Sequence, residues 1–218
     1  MKKMKFRTHL GLLIGLALLL VALMSVAVGK YTSTVTITGN VQFTATLADT
    51  FTLQEHKATR NADGSYTLST TETTEPNSYY LMPGVDIPKD PFITITKKTD
   101  IPAYLFVEVV KGPDVGTTEA ALIRYQMAGA WQELTGVTGK NKGTVYVYTG
   151  TDTTPDILTS TLTNEMLNQT ITIPLLTNGI TVSQKLISSG TEEKNILSFY
   201  ATLKEIPNQS TAADVYNQ

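Results

Sequence analysis

The chain has 218 residues, no cysteine, 17 Lys and Arg against 19 Asp and Glu, and only two histidines. Four of the basic residues, Lys2, Lys3, Lys5 and Arg7, lie at the start and no acidic residue precedes Asp49, so the remaining thirteen cations face nineteen anions and leave a charge of −6. That balance excludes a disulfide-stapled scaffold and disfavours nucleic-acid binding, which needs a basic stripe to neutralise phosphates.

The basic start is followed by an apolar run from Leu10 to Val28, interrupted only by Gly11, Gly15 and Ser25. This is the pattern of an export signal, although at roughly 19 residues it approaches membrane-spanning length. Cleavage after Ala27 or Gly29, each with a small residue two positions earlier, and retention as an anchor through residues 10–28 both remain open. A lipoprotein anchor is excluded, because it needs a cysteine. The expected division is a signal peptide or membrane anchor over 1–29 and a single β domain over 30–218. About 190 residues suffice for a sizeable core.

From Tyr31 the hydropathy period becomes two. Tyr31, Ser33, Val35 and Ile37 alternate with four threonines, Gly39 and Asn40 interrupt, and Val41, Phe43, Ala45 and Leu47 resume a second strand. About one residue in six is Thr, which with Val, Ile, Tyr and Phe favours a pleated surface. Strands around Phe51–Leu53 and Tyr66–Leu68 flank an Asp63-Gly64 hairpin turn. The span from Ser69 to Ser78 reads as an exposed loop, and the prolines and glycine before Phe92 read as a rigid approach poor in hydrogen bonds. Further strands are expected from Phe92, from Tyr104 to Val110 in a sheet centre, in a hairpin around Ala128–Ala130, after the Gly139–Gly143 turn, and near 171–176, 180–182 and 196–203. Apolar residues between 152 and 168 suggest a short helix, and the tail from Thr211 a helical turn. Short strands with frequent turn signals predict an all-β, antiparallel sandwich of jelly-roll type with one or two short helices.

Pro83-Gly84-Val85-Asp86-Ile87-Pro88-Lys89-Asp90-Pro91, followed by Ile101-Pro102-Ala103-Tyr104-Leu105-Phe106-Val107, resembles the signature of the TasA and camelysin-related exported proteins of Gram-positive bacteria. Trp131, Pro174-Leu175-Leu176, Ile180-Thr181-Val182-Ser183 and Phe199-Tyr200-Ala201 extend the resemblance. It implies a jelly-roll-like sandwich, processing by a dedicated signal peptidase, and a subunit of an extracellular matrix or biofilm fibre. Within the motif Pro83, Gly84, Pro88, Asp90 and Pro91 restrict the backbone, and Tyr104 and Phe106 belong to the strand that follows.

Catalytic chemistry finds little in the residues. Zinc needs about three ligands, yet His9 lies in the signal and His56 stands alone among Gln54, Glu55 and Lys57, as at a solvated strand end. No H-E-x-x-H occurs, so a metallopeptidase is a remote alternative and no enzyme, cofactor or metal site is expected. Asp86 and Asp90 are the acidic pair to inspect, with a solvent-facing loop as the plainer reading. The tyrosines at 79, 80, 104, 125, 146 and 148 and Trp131 form either a carbohydrate platform or a core wall.

The expected function is structural. Once freed by cleavage, Lys30 to Thr38 can complete a neighbour's sheet, with Tyr31, Val35 and Ile37 setting register, or pair within its own sheet. Expected partners are further copies of the chain, the signal peptidase during export, and a matrix or accessory surface protein. A membrane-anchored module binding glycan or protein at the cell surface is the alternative.

Overall fold

A computed structural model describes residues 33–36, 39–42, 51–95, 103–150, 171–185, 196–206 and 210–218. Fourteen strands and one short helix are described: β1 (Ser33–Thr36), β2 (Gly39–Gln42), β3 (Phe51–Arg60), β4 (Tyr66–Thr73), β5 (Ser78–Leu81), β6 (Phe92–Ile95), β7 (Ala103–Lys111), β8 (Val115–Gly116), β9 (Ile123–Met127), β10 (Trp131–Thr138), β11 (Thr144–Tyr148), β12 (Ile171–Pro174), β13 (Leu176–Val182), β14 (Leu197–Glu205) and α1 (Ala212–Tyr216). The expected all-β class holds. The signal region, both cleavage positions, Tyr31, Ile37 and the 152–168 segment lie outside the described residues.

The strands form sheets ordered β10-β11-β7-β14-β2, β12-β6-β3-β4, β13-β9-β8 and β1-β5. Pairing is antiparallel except between β14 and β2 and between β8 and β9. Alternation explains the packing: Phe51 and Leu53 of β3, Ile93 and Ile95 of β6, Leu105, Val107 and Val109 of β7, and Phe199, Ala201 and Leu203 of β14 all enter one core.

β7 reads as a continuous apolar run because both of its faces are covered. The intervening Tyr104 and Phe106, with Val145 and Val147 of β11, form a second cluster under Ala212 and Val215 of α1. Thr211 caps that helix in a reciprocal capping box with Asp214. At the other end, Lys204 Nζ donates to the carbonyls of Val215 (3.2 Å) and Tyr216 (2.6 Å), placing a cation where helix carbonyls lack partners.

The next residue on this face of β7, Glu108, is buried, and the Gly139–Gly143 turn wraps its carboxylate. Oε1 accepts from the backbone N–H of Asn141 and of Gly143, both at 2.8 Å, and Oε2 accepts from Asn141 Nδ2 at 3.0 Å. The glycines are required by contact. A Cβ at Gly139 would lie 2.0 Å from Glu108 Cδ, and one at Gly143 2.6 Å from the Val109 carbonyl oxygen.

Four expectations need correction. β4 extends to Thr73, because its antiparallel pairing with β3 runs from Arg60↔Tyr66 to Glu55↔Thr73, so much of the expected loop is strand. β9 and β10 are not a hairpin: β9 pairs with β13 and β8, β10 pairs with β11, and Ala128–Ala130 links two sheets. The expected two strands are present as β1 and β2 in different sheets, but Gly39 and Asn40 belong to β2, paired with Phe199 and Tyr200. The approach to β6 is well bonded, since Gly84 donates to Val182 O, Ile87 exchanges bonds with Ile180, and Leu175 donates to Pro91 O.

Candidate functional site

The Pro83–Pro91 segment meets β3 in a compact cluster of charge. On β3 the inward alternation is Phe51, Leu53, Glu55, so the third core-facing position is a carboxylate and not a hydrocarbon. Lys89 answers it. Its ammonium pairs with Glu55 Oε2, and both side chains are almost wholly buried, at 2% and 6% exposure. The Lys89 Nζ also lies 5.6 Å from the centre of the Tyr79 ring, a cation–π distance. Burial pushes the Lys89 amine down from its ordinary value, while Glu55 opposes that shift.

The adjacent residues repeat the arrangement outside the core, with the basic side chain now on β3 and the acid on the facing segment. His56 Nδ1 and Asp90 Oδ2 lie 2.5 Å apart at about one-third exposure, and the imidazole packs 5.2 Å from the Phe92 ring. Along β3, Glu55 faces inward and His56 outward, as strand alternation dictates, and Lys89 and Asp90 meet them from the facing segment. His56 is therefore not the free residue of a solvated strand end. Asp90 turns to it, while Asp86 is exposed, so the two aspartates do not form a site.

Asn77 organises the cluster. Its backbone N–H donates to Glu55 Oε1 at 2.7 Å, its Nδ2 donates to His56 O at 2.7 Å, and its Oδ1 accepts from Ala58 N at 3.0 Å. These bonds continue the ladder of β3 where it outruns β6, whose last partner is Gln54. Asp90 Oδ1 contributes by accepting from His56 N at 3.2 Å. A small pocket lined by Glu55, Thr74, Pro76, Lys89 and Phe199 opens beside the buried pair. The Tyr79 hydroxyl is buried and finds no hydrogen-bond partner among the described residues. Desolvation, followed by the charges of Glu55 and Asp90, holds it far above the ordinary phenol range.

The segment is anchored from below by a bulge in β13. Its register shifts between Leu176 and Ile180, and Asn178 and Gly179 take positive φ values of 60° and 75°. A Cβ on Gly179 would sit 2.3 Å from the Ile87 carbonyl oxygen, so that close approach needs glycine. An Asn-Gly pair inside an apolar alternation is the sequence signal for such a bulge.

The remaining expected residues divide clearly. Pro91 is buried and Gly84 takes a positive φ of 74°, whereas Pro83 and Pro88 are half-buried. Tyr79, Tyr104, Tyr125, Tyr146 and Trp131 are buried core wall, and Trp131 Nε1 donates to Pro174 O at 2.9 Å. Tyr80, at 47% exposure, is the exposed large hydrophobic residue among the described residues. Its ring carries the Arg60 guanidinium 5.3 Å from the centre. No three metal-ligating side chains gather among the described residues, and no described helix is long and apolar enough to cross a membrane.

Of the expected donor strand, Ser33–Thr36 pairs with β5 in the register Ser33↔Leu81 to Thr36↔Ser78, bringing Val35 opposite Tyr79. β5 has β1 as its single ladder partner among the described residues, while Tyr79 and Leu81 are fully buried in the core. No family model matches the chain, and no curated protein or solved structure matches it.

Proposed function

We propose that this chain is an exported structural protein of the cell surface or extracellular matrix, a jelly-roll-like subunit of a biofilm-type fibre that assembles by strand exchange. The observation that carries the reading is the β1–β5 pair. A four-residue strand near the N-terminus pairs with an element whose Tyr79 and Leu81 belong to the core and whose backbone has no other strand beside it among the described residues. Withdrawal of β1 leaves an edge that the same segment of another copy fits in the same register. Exchange of an identical element between protomers forms a polymer at little cost in new contacts.

The export-type N-terminus and the resemblance of Pro83–Pro91 to the TasA and camelysin-related proteins support the same reading. So does the chemistry of the charge cluster. Its polar groups are largely turned on one another, Glu55 to Lys89, His56 to Asp90 and Asn77 to β3, which suits a brace between segments.

The test is assembly of the chain from Lys30 onward, followed by negative-stain microscopy over a range of concentrations. Fibres are expected from this form, and soluble monomers from a chain that also lacks Lys30–Thr38. Equal polymerisation of the two would refute strand exchange.

A further inference from the structure

The buried Glu55–Lys89 pair has features that an ordinary ion pair does not require. Its members come from segments 34 residues apart, both are removed from water, and the amine touches one carboxylate oxygen while a fixed backbone N–H holds the other. The chain has no cysteine with which to cross-link itself. We propose that Lys89 and Glu55 are a modification site, condensing spontaneously after folding into an intramolecular amide between Lys89 Nζ and Glu55 Cδ.

The atoms balance without any external reagent. A proton passes from the ammonium to Glu55 Oε2 inside the pair, giving a neutral amine and a carboxylic acid. The Nζ lone pair attacks Cδ, and negative charge gathers on Oε1. The Asn77 N–H, 2.7 Å away, already points at that oxygen and stabilises the charge as an oxyanion-hole donor does. Oε2 then departs as water after taking a second proton from nitrogen. One N–C bond forms, one C–O bond breaks, and nothing is oxidised or reduced.

Three surroundings favour this course over a permanent ion pair. Burial lowers the proton affinity of the Lys89 amine, which raises the share of its nucleophilic form. Folding holds amine and carboxyl in contact, converting a bimolecular reaction into one of high effective concentration. The adjoining pocket lined by Thr74 and Pro76 offers the released water an exit from an otherwise dry site. Asn77 acts as a positioning residue, because its side-chain bonds to His56 O and Ala58 N fix the direction of its own N–H. Its carboxamide is occupied by those bonds, so Glu55 is the acyl donor.

The experiment is mass spectrometry of protease fragments from the folded, full-length chain after complete denaturation. The expected product is a peptide pair joining the segments that contain Glu55 and Lys89, lighter than their sum by one water, about 18 Da. Lys89→Arg keeps a cation at the site but removes the amine, and its fragments are expected to be separate and of full mass. Asn77→Ala keeps the backbone N–H but removes the side-chain bonds that aim it, and is expected to slow appearance of the cross-linked pair roughly tenfold, less than outright loss of an oxyanion donor. Recovery of both wild-type segments unlinked from folded protein would overturn the proposal. A joined pair that persists in Lys89→Arg would overturn it equally, and the wild-type measurement decides even where a variant fails to fold.

Discussion

Asn77 Nδ2 donates to the His56 carbonyl at 2.7 Å, and this bond makes a side chain from the segment before β5 the continuation of a ladder that β6 leaves unfinished. With Asn77 Oδ1 accepting from Ala58 N, it satisfies two backbone groups of β3 that would otherwise lack partners there. Asn77→Ala is expected to cost about 2 kcal/mol in denaturant unfolding, the penalty of leaving part-buried backbone groups unpaired. Hydrogen exchange at the Ala58 amide should quicken with it, and an unchanged exchange rate would show that the bond is dispensable.

The turn over Glu108 supplies a second prediction. Gly143→Ala forces a Cβ to within 2.6 Å of Val109 O and displaces an N–H that donates to the buried carboxylate. A loss on the order of 2–4 kcal/mol is expected, combining steric overlap with the weakening of one of the hydrogen bonds that hold the buried carboxylate. Gly129→Ala meets nothing within 4 Å and serves as the control. Equal stabilities for the two variants would contradict the packing described.

Alkaline pH tests the docking of the C-terminal helix. Burial, then the charge of Glu108, raises the Tyr216 phenol from 10.0 to about 12. Its ring packs edge-on against Phe106 with the centres 5.1 Å apart, and Lys204 Nζ lies 5.1 Å from the ring centre. Because the folded value is the higher, the unfolded chain loses this proton first. The contribution to stability is complete below pH 10 and is lost as the pH rises towards about 12. Tyr216→Phe should flatten the decline in this window, as followed by unfolding at stepped pH. A decline of unchanged slope would separate Tyr216 from alkaline loosening.

Much of the fold was legible because alternation is a direct record of which side of a strand faces the core. The apolar density of Tyr104–Val110 marked a strand in a sheet centre, where β7 lies, and the Asp63-Gly64 and Gly139–Gly143 turns stood where their glycines indicated. Pairing partners were not legible in the same way. β9 and β10 are sequence neighbours in different sheets, a choice made by long-range packing that Ala128–Ala130 does not encode.

The charge cluster was hidden for a related reason. The Pro83–Pro91 motif drew attention through its prolines and glycine, while Lys89 was one residue of that string and Glu55 only a neighbour of His56 at an expected solvated strand end. Only the third inward position of the Phe51, Leu53, Glu55 alternation marked Glu55 as buried, which in turn required a cation to meet it. His56 similarly seemed solitary until folding brought Asp90 to it.

The absence of cysteine makes strand exchange directly measurable. Thr34 of β1 stands opposite Tyr80 of β5, and antiparallel partners lie within disulfide reach. Protein carrying Thr34→Cys is mixed with protein carrying Tyr80→Cys, allowed to assemble, oxidised and denatured. Strand exchange predicts disulfide-linked dimers of the two variants that accumulate with fibre formation. Fibres without such dimers, together with an internal disulfide in the doubly substituted chain, would show that each subunit keeps its own first strand.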